Sequence, residues 1–145
     1  MSSVEKFDHA FITSAKRNYS WIARVALFVI YFYFGFLKLI GASPADALAL
    51  GFAKKMGAGA IAHELFIFLA IVECLIGFLV LFPKLTRLAI GVMLLHMLLV
   101  CSPLVLYPEA VWSKPFVPNL EGQYIIKNAA LVVLALGLVA STVPL

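Results

Sequence analysis

Four long apolar runs, separated by short breaks that carry glycine, proline or charge, set the pattern of this chain. They cover about residues 21–40, 62–82, 85–107 and 123–140. Each approaches the roughly 20 residues that a helix needs to cross a bilayer. Backbone in lipid must satisfy its own hydrogen bonds, so the pattern predicts four membrane-spanning helices. The first run opens at Trp21, a residue suited to the headgroup level. Within it Arg24, Tyr31, Gly35 and Lys38 recur at i, i+7, i+11 and i+14 and mark a less apolar face. Arg24 can snorkel to headgroups; Lys38 can either snorkel or pair inside the bundle.

The segments between and before the spans read as interfacial. Residues 1–20 predict a helix lying at the membrane surface. Ser2 and Glu5 form a possible capping box, and Val4, Phe7 and Phe11 recur at helical spacing. Lys6, Asp8, His9, Lys16 and Arg17 fall on its wet side, and a frayed tail is the alternative for the first few residues. No apolar core follows a basic start, so the segment does not read as a signal peptide. After Gly41, Ser43-Pro44-Ala45-Asp46 predicts a helix start with a serine cap and proline in the first turn. The piece that follows, to about Met56, is too short to span and is expected to lie on the surface. Pro83 and Lys84 make a tight turn before the third run, whose far end is broken or kinked by Ser102-Pro103. Pro108 to Pro118, with Trp112, Pro115 and Phe116, is expected to cap the bundle. The tail Ser141-Thr142-Val143-Pro144-Leu145 is short and uncharged.

Polar residues inside the apolar runs are the candidates for function. Glu73 falls near the middle of the second span and His96 at the middle of the third. The fourth span opens with Glu121, Tyr124, Lys127 and Asn128, which share a stripe about 120° wide at ~100° per residue. An ionised lysine facing lipid costs on the order of 2.5–3.5 kcal/mol at a helix centre on insertion scales. The stripe is therefore expected to face protein or water, with the other helices arranged to receive it. Glu73 reads either as a packing residue, with Gly77 one turn on allowing close helix approach, or as a proton-handling or ligand-binding group. His96 reads either as a packed residue bonded to a neighbour or as a ligand. Whether Glu73 meets His96 or Lys127 depends on the order of helices around the bundle.

Composition confirms the class. The 145 residues are 64% hydrophobic and 12% charged, too apolar for a soluble domain of this length. An all-α integral membrane bundle of four helices with short interfacial helices is the expected fold, as one domain. The net charge of +4 includes no basic run interleaved with aromatics, so nucleic-acid binding is not indicated. Cys74 and Cys101 lie in separate runs without a CxxC and read as ordinary buried thiols rather than a redox pair. No metal-ligand cluster, phosphate-binding glycine loop or nucleophile motif occurs, and His63 and His96 differ too much in depth for paired haem ligation. Four spans put both termini on one side, together with Lys6, Lys16, Arg17, Arg24, Lys84 and Arg87. The positive-inside rule makes that side cytoplasmic.

Gly35-Phe36-Leu37-Lys38, Glu73 with Gly77, Phe82-Pro83-Lys84-Leu85-Thr86-Arg87 and Glu121-Gly122-Gln123-Tyr124-Ile125-Ile126-Lys127-Asn128 together resemble the DoxX family. The similarity covers about residues 20–140, and the last motif is the most specific. It implies a four-helix protein of the bacterial inner membrane. The family takes its name from a subunit of thiosulfate:quinone oxidoreductase, and other members are described as redox-associated. The absence of a redox cysteine pair departs from four-helix proteins that perform thiol–disulfide chemistry. The expectation is an accessory redox subunit that binds a quinone or similar isoprenoid. Lys38, Lys127, Tyr124 and His96 would bond ring oxygens, Glu73 and Glu121 would tune charge or pass protons, and Asn128 would line the pocket. Electrons would come from a partner oxidoreductase subunit, since this chain carries no redox group. The alternative is a structural or assembly protein, a homo-oligomer for example, whose polar network serves packing alone. A transporter is the weakest reading, because broken helices and repeats are lacking.

Overall fold

A computed structural model describes residues 2–142; Met1 and the tail residues Val143, Pro144 and Leu145 lie outside the described part. The protein is all-α, and among the described residues four helical stretches are long and apolar enough to cross a membrane. They are Ser3–Leu39, which is α1; Gly59–Val80, which contains α3 (Ala62–Val80); Pro83–Leu106, which contains α4 (Thr86–Cys101); and Leu120–Ala140, which is α7. A short helix α2 (Asp46–Lys55) follows α1, and two single-turn helices, α5 (Pro103–Leu106) and α6 (Pro108–Val111), follow α4. Strands β1 (Trp112–Lys114) and β2 (Val117–Pro118) then form a small antiparallel hairpin. Each span runs antiparallel to the next, so the bundle has a turn end, at Pro83–Leu85 and Ser141, and a capped end.

The first helix departs from expectation. Instead of an interfacial segment followed by a span at Trp21, one uninterrupted helix of 37 residues runs from Ser3 to Leu39. At 1.5 Å per residue it is ~55 Å long, well beyond the ~30 Å hydrocarbon core. Nothing between Ser14 and Ser20 breaks the helical ladder, since that stretch holds neither proline nor glycine. The capping box forms: Ser2 Oγ accepts from the Glu5 backbone N–H at 3.2 Å, and Glu5 Oε2 accepts from that of Ser2 at 2.7 Å. Helix α1 first meets the bundle at Tyr19, whose hydroxyl donates to the Leu134 carbonyl of α7 at 3.2 Å.

Helix order around the bundle is α1–α3–α4–α7, with α7 returning to α1, so α3 and α7 lie diagonally opposed. The α1–α3 seam is the most extensive and is built on glycine. A Cβ on Gly35 would sit 2.9 Å from the Ala70 carbonyl and the Cys74 amide, and one on Gly77 would sit 2.7 Å from the Phe32 amide. Small residues let these backbones approach closely where lipid supplies no hydrophobic drive between helices. The apolar core lies toward the turn end, where Leu27, Ile76, Val80, Met93 and Leu138 are fully buried.

The capped end is held by specific bonds. Helix α2 starts two residues later than the sequence suggests, with Ser43 Oγ accepting from the Ala45 N–H at 3.1 Å. It packs on α3, and its Phe52 ring lies 6.3 Å from Tyr107. Lys55 reaches across to Glu109. Trp112 Nε1 donates to the Leu104 carbonyl at 2.9 Å. Asn119 caps α7, its Oδ1 accepting from the Gly122 N–H at 2.9 Å while its Nδ2 donates to the Ala110 carbonyl at 2.8 Å.

Candidate functional site

The buried face of α1 is the one the spacing marked: Arg24, Leu27, Tyr31 and Gly35 are all buried, and Lys38 is largely so. Because Cα–Cβ bonds tilt toward a helix's own N-terminus, Lys38 leans inward, away from the nearest interface. Glu73 on antiparallel α3 leans the other way, toward the capped end. The two side chains therefore converge, and the Lys38 ammonium bonds both Glu73 carboxylate oxygens. Close approach at Gly35, one turn from Lys38, brings α3 within reach of the ammonium.

His96 on α4 completes the cluster, with Nε2 3.0 Å from Glu73 Oε1. The side chains of Lys38, Glu73 and His96 are 11%, 7% and 4% exposed. A carboxylate can only accept, so His96 donates to Glu73 through Nε2–H. Its Nδ1 is buried and makes no hydrogen bond to protein. Tyr31, 4% exposed, packs its ring edge-on against His96 at 5.6 Å, and its hydroxyl is likewise buried without a partner. Glu73 lies 11 residues into α3, ~16 Å along the axis and near mid-bilayer depth. Two cationic or ionisable donors on one carboxylate, with a hydroxyl and a bare imidazole nitrogen beside them, can hold and move a proton. They can also bond a polar ring substituent.

Lys38, Glu73 and His96 thus come together, whereas the candidates on α7 do not join them. Glu121, Tyr124 and Lys127 are exposed on the outside of the bundle and Asn128 is half-buried; Gly122 and Ile125 face inward instead. The expectation that the other helices receive this stripe is corrected. Gly122 sets the rotation of α7, because a Cβ there would lie 2.2 Å from the Val111 carbonyl and only glycine fits against the cap. The diagonal position of α7 relative to α3 keeps Lys127 from Glu73. Lys127 lies instead over the Tyr124 ring, 5.3 Å from its centroid.

Two features go beyond the sequence reading. Tyr31 belongs to the cluster, and its place on the face shared by Arg24 and Lys38 was the available signal. Arg24 does not snorkel to headgroups: it is 5% exposed, and Nη1 donates to the Val80 carbonyl in the last turn of α3 at 2.6 Å. Among the described residues no three His, Cys, Asp or Glu side chains converge to hold a metal ion. Cys74 and Cys101 are both free thiols. Compared with protein-family models, curated proteins and solved structures, the chain matches none.

Proposed function

We propose that this membrane protein is a DoxX-like accessory subunit of a quinone-linked redox complex in a bacterial inner membrane, with its termini on the cytoplasmic side. The carrying observation is the pair of unpartnered polar atoms, Tyr31 Oη and His96 Nδ1, beside the buried Lys38–Glu73–His96 triad. A quinone carbonyl would accept from the Tyr31 hydroxyl. A hydroxyl of the reduced ring would donate a hydrogen bond to His96 Nδ1, whose ring is held through Nε2 by Glu73. Lys38 holds the Glu73 carboxylate in place for that task. The electrons would come from a cofactor on a partner subunit. The exposed polar face of α7, with Glu121, Tyr124, Lys127 and Asn128, would meet that partner rather than the ring. The basic turn end supports the cytoplasmic placement.

A second reading has an observation of its own. Lys38 engages both carboxylate oxygens and His96 adds a third bond, so the Glu73 carboxylate is satisfied within the chain. On that account it is packing glue in a structural or assembly protein. Native mass spectrometry of protein extracted from its own membranes in mild detergent separates the two. The redox-subunit reading expects a quinone-mass adduct on the wild type that is lost in Tyr31→Phe, a change that removes no hydrogen bond from the fold. A wild type carrying only ordinary lipids, with Tyr31→Phe indistinguishable from it, rejects the quinone reading and leaves the structural one.

A further inference from the structure

The first turns of α1 stand clear of the bundle: every residue from Ser2 to Tyr19 is exposed, and Tyr19 is the first to bond another span. At 1.5 Å per residue, Phe11 lies ~12 Å, Phe7 ~18 Å and Val4 ~22 Å beyond Tyr19 along the axis. A headgroup layer is about 5–8 Å deep on each side, so a straight helix lifts these side chains past it into water. Phe7 and Phe11 stack with ring centroids 6.4 Å apart, yet Val4, Phe7 and Phe11 remain 76%, 73% and 64% exposed. No glycine or proline occurs between Ser3 and Phe34 to bend the segment, and the Ser2–Glu5 capping box secures its tip. The stripe also has a heptad register. With Val4 at a, Phe7 falls at d, Phe11 at a, Ser14 at d, Asn18 at a and Trp21 at d. At ~100° per residue, Val4, Phe7 and Phe11 lie about 140–200° round the helix from Leu27, so the stripe points away from the core that Leu27 enters.

We infer that this stripe pairs with the same stripe of a second copy of the chain, forming a short parallel two-helix stalk outside the membrane. Copies inserted in the same sense hold Val4, Phe7 and Phe11 at the same height. A two-fold axis along the membrane normal then brings like positions face to face. Asn18 suits that partner, because an asparagine at an a position meets its own counterpart and fixes the register. Charge placement agrees. The flanking e and g positions hold Ser3, Asp8, Ala10, Ala15 and Arg17, so parallel pairing opposes no two like charges, and the alanines admit close approach. Lys6, His9 and Lys16 stay on the wet side. The face continues into the span through Trp21, Ile22 and Val29, which are 64%, 61% and 52% exposed, so the contact extends beyond the stalk. A lipid surface would reach the stripe only through a bend that the unbroken helix does not provide. So short a stalk would not hold between free peptides, but confinement of both copies to one bilayer raises their effective concentration. The pairing does not depend on a bound quinone.

The test is disulfide cross-linking of the full chain in its own membranes, with the wild type, which keeps Cys74 and Cys101, as the baseline. Val4→Cys and Ser14→Cys place a thiol on the stripe, whereas His9→Cys and Lys16→Cys place one on the far side of the same helix. The stripe thiols should form a covalent dimer at least about tenfold faster than the far-side ones. Native mass spectrometry in mild detergent should show a dimer that is lost when Phe7→Asp and Phe11→Asp are combined. Ile12→Asp, exposed on the same turns but off the stripe, should keep it, and helical content should match the wild type in both. Equal cross-linking rates at the four positions would show chance collision and overturn the proposal. A dimer indifferent to the paired aspartates would overturn it as well. So would stripe thiols that form no dimer: shielding from a membrane-impermeant maleimide would then put the segment on lipid, and free reaction would leave it in water.

Discussion

Helix α1 buries two cations, Arg24 and Lys38, 14 residues or ~21 Å apart on one face, and the protein treats them in opposite ways. Lys38 meets a carboxylate that is itself bonded to a histidine, and the charge is matched inside the chain. Arg24 meets, among the described residues, a helix-terminal carbonyl, where the α3 dipole and an unpaired C=O offer partial negative charge. The difference follows from what faces each position. Lys38 looks onto the middle of a helix, whose backbone is fully bonded, so only a side chain can answer it. Arg24 looks onto the end of that helix, where backbone acceptors are free. A matched charge is expensive to break from either side, whereas a cation on a helix-terminal carbonyl loses one hydrogen bond.

The most damaging way to break the comparison is Glu73→Leu. It strands Lys38 in the membrane and should cost about 3–5 kcal/mol, read as a lowered unfolding midpoint in detergent. Adding Lys38→Met to that variant should recover most of the loss, because no charge then remains unpaired; failure to recover would mean that Glu73 acts chiefly through His96. Arg24→Met should cost less, about 1.5–3 kcal/mol, the worth of one hydrogen bond from a charged donor. A loss as large as that of Glu73→Leu would show a carboxylate-like partner for Arg24.

Gly35→Ala sharpens the geometry. Its Cβ would press on Ala70 and Cys74 backbone at 2.9 Å, so about 1–3 kcal/mol of overpacking is expected. Gly91→Ala, with nothing within 4 Å, should be neutral or slightly stabilising in the same assay. The smallest effect belongs to the exposed counterpart of the Lys38 pair. The Lys55 ammonium hydrogen-bonded to Glu109 holds that carboxyl below its usual range. The contribution is therefore present above the ordinary carboxylate pKa of about 4.3 and lost as pH falls through the depressed value. Lys55→Ala should flatten this acid limb of the unfolding curve by a barely measurable amount and remove its salt dependence.

Much of the fold was legible along the chain. Run length and hydropathy place the spans, Ser2 and Glu5 mark a helix start, and Pro103 breaks α4 from α5 as expected. The α1 face was legible because helical periodicity alone brings Arg24, Tyr31, Gly35 and Lys38 into line. The continuity of α1 through Trp21 was not, since an interfacial helix and a spanning helix share the same local propensities and differ only in whether a bend intervenes. The α7 stripe misled for a related reason. Periodicity shows that Glu121, Tyr124 and Lys127 share a face, but the direction of that face was decided by Gly122 against Val111.

What the residues determined by themselves is the membrane class, four helices and the faces that hold their polar groups, because backbone satisfaction in lipid and a 3.6-residue repeat act locally. Only the tertiary structure decided that Glu73 meets Lys38 and His96 rather than Lys127, and that Arg24 meets the Val80 carbonyl. Partner choice depends on helix order and on rotation about each axis. Both are set by contacts between segments far apart in the chain, Gly35 on Ala70 and Gly122 on Val111, which no single helix encodes.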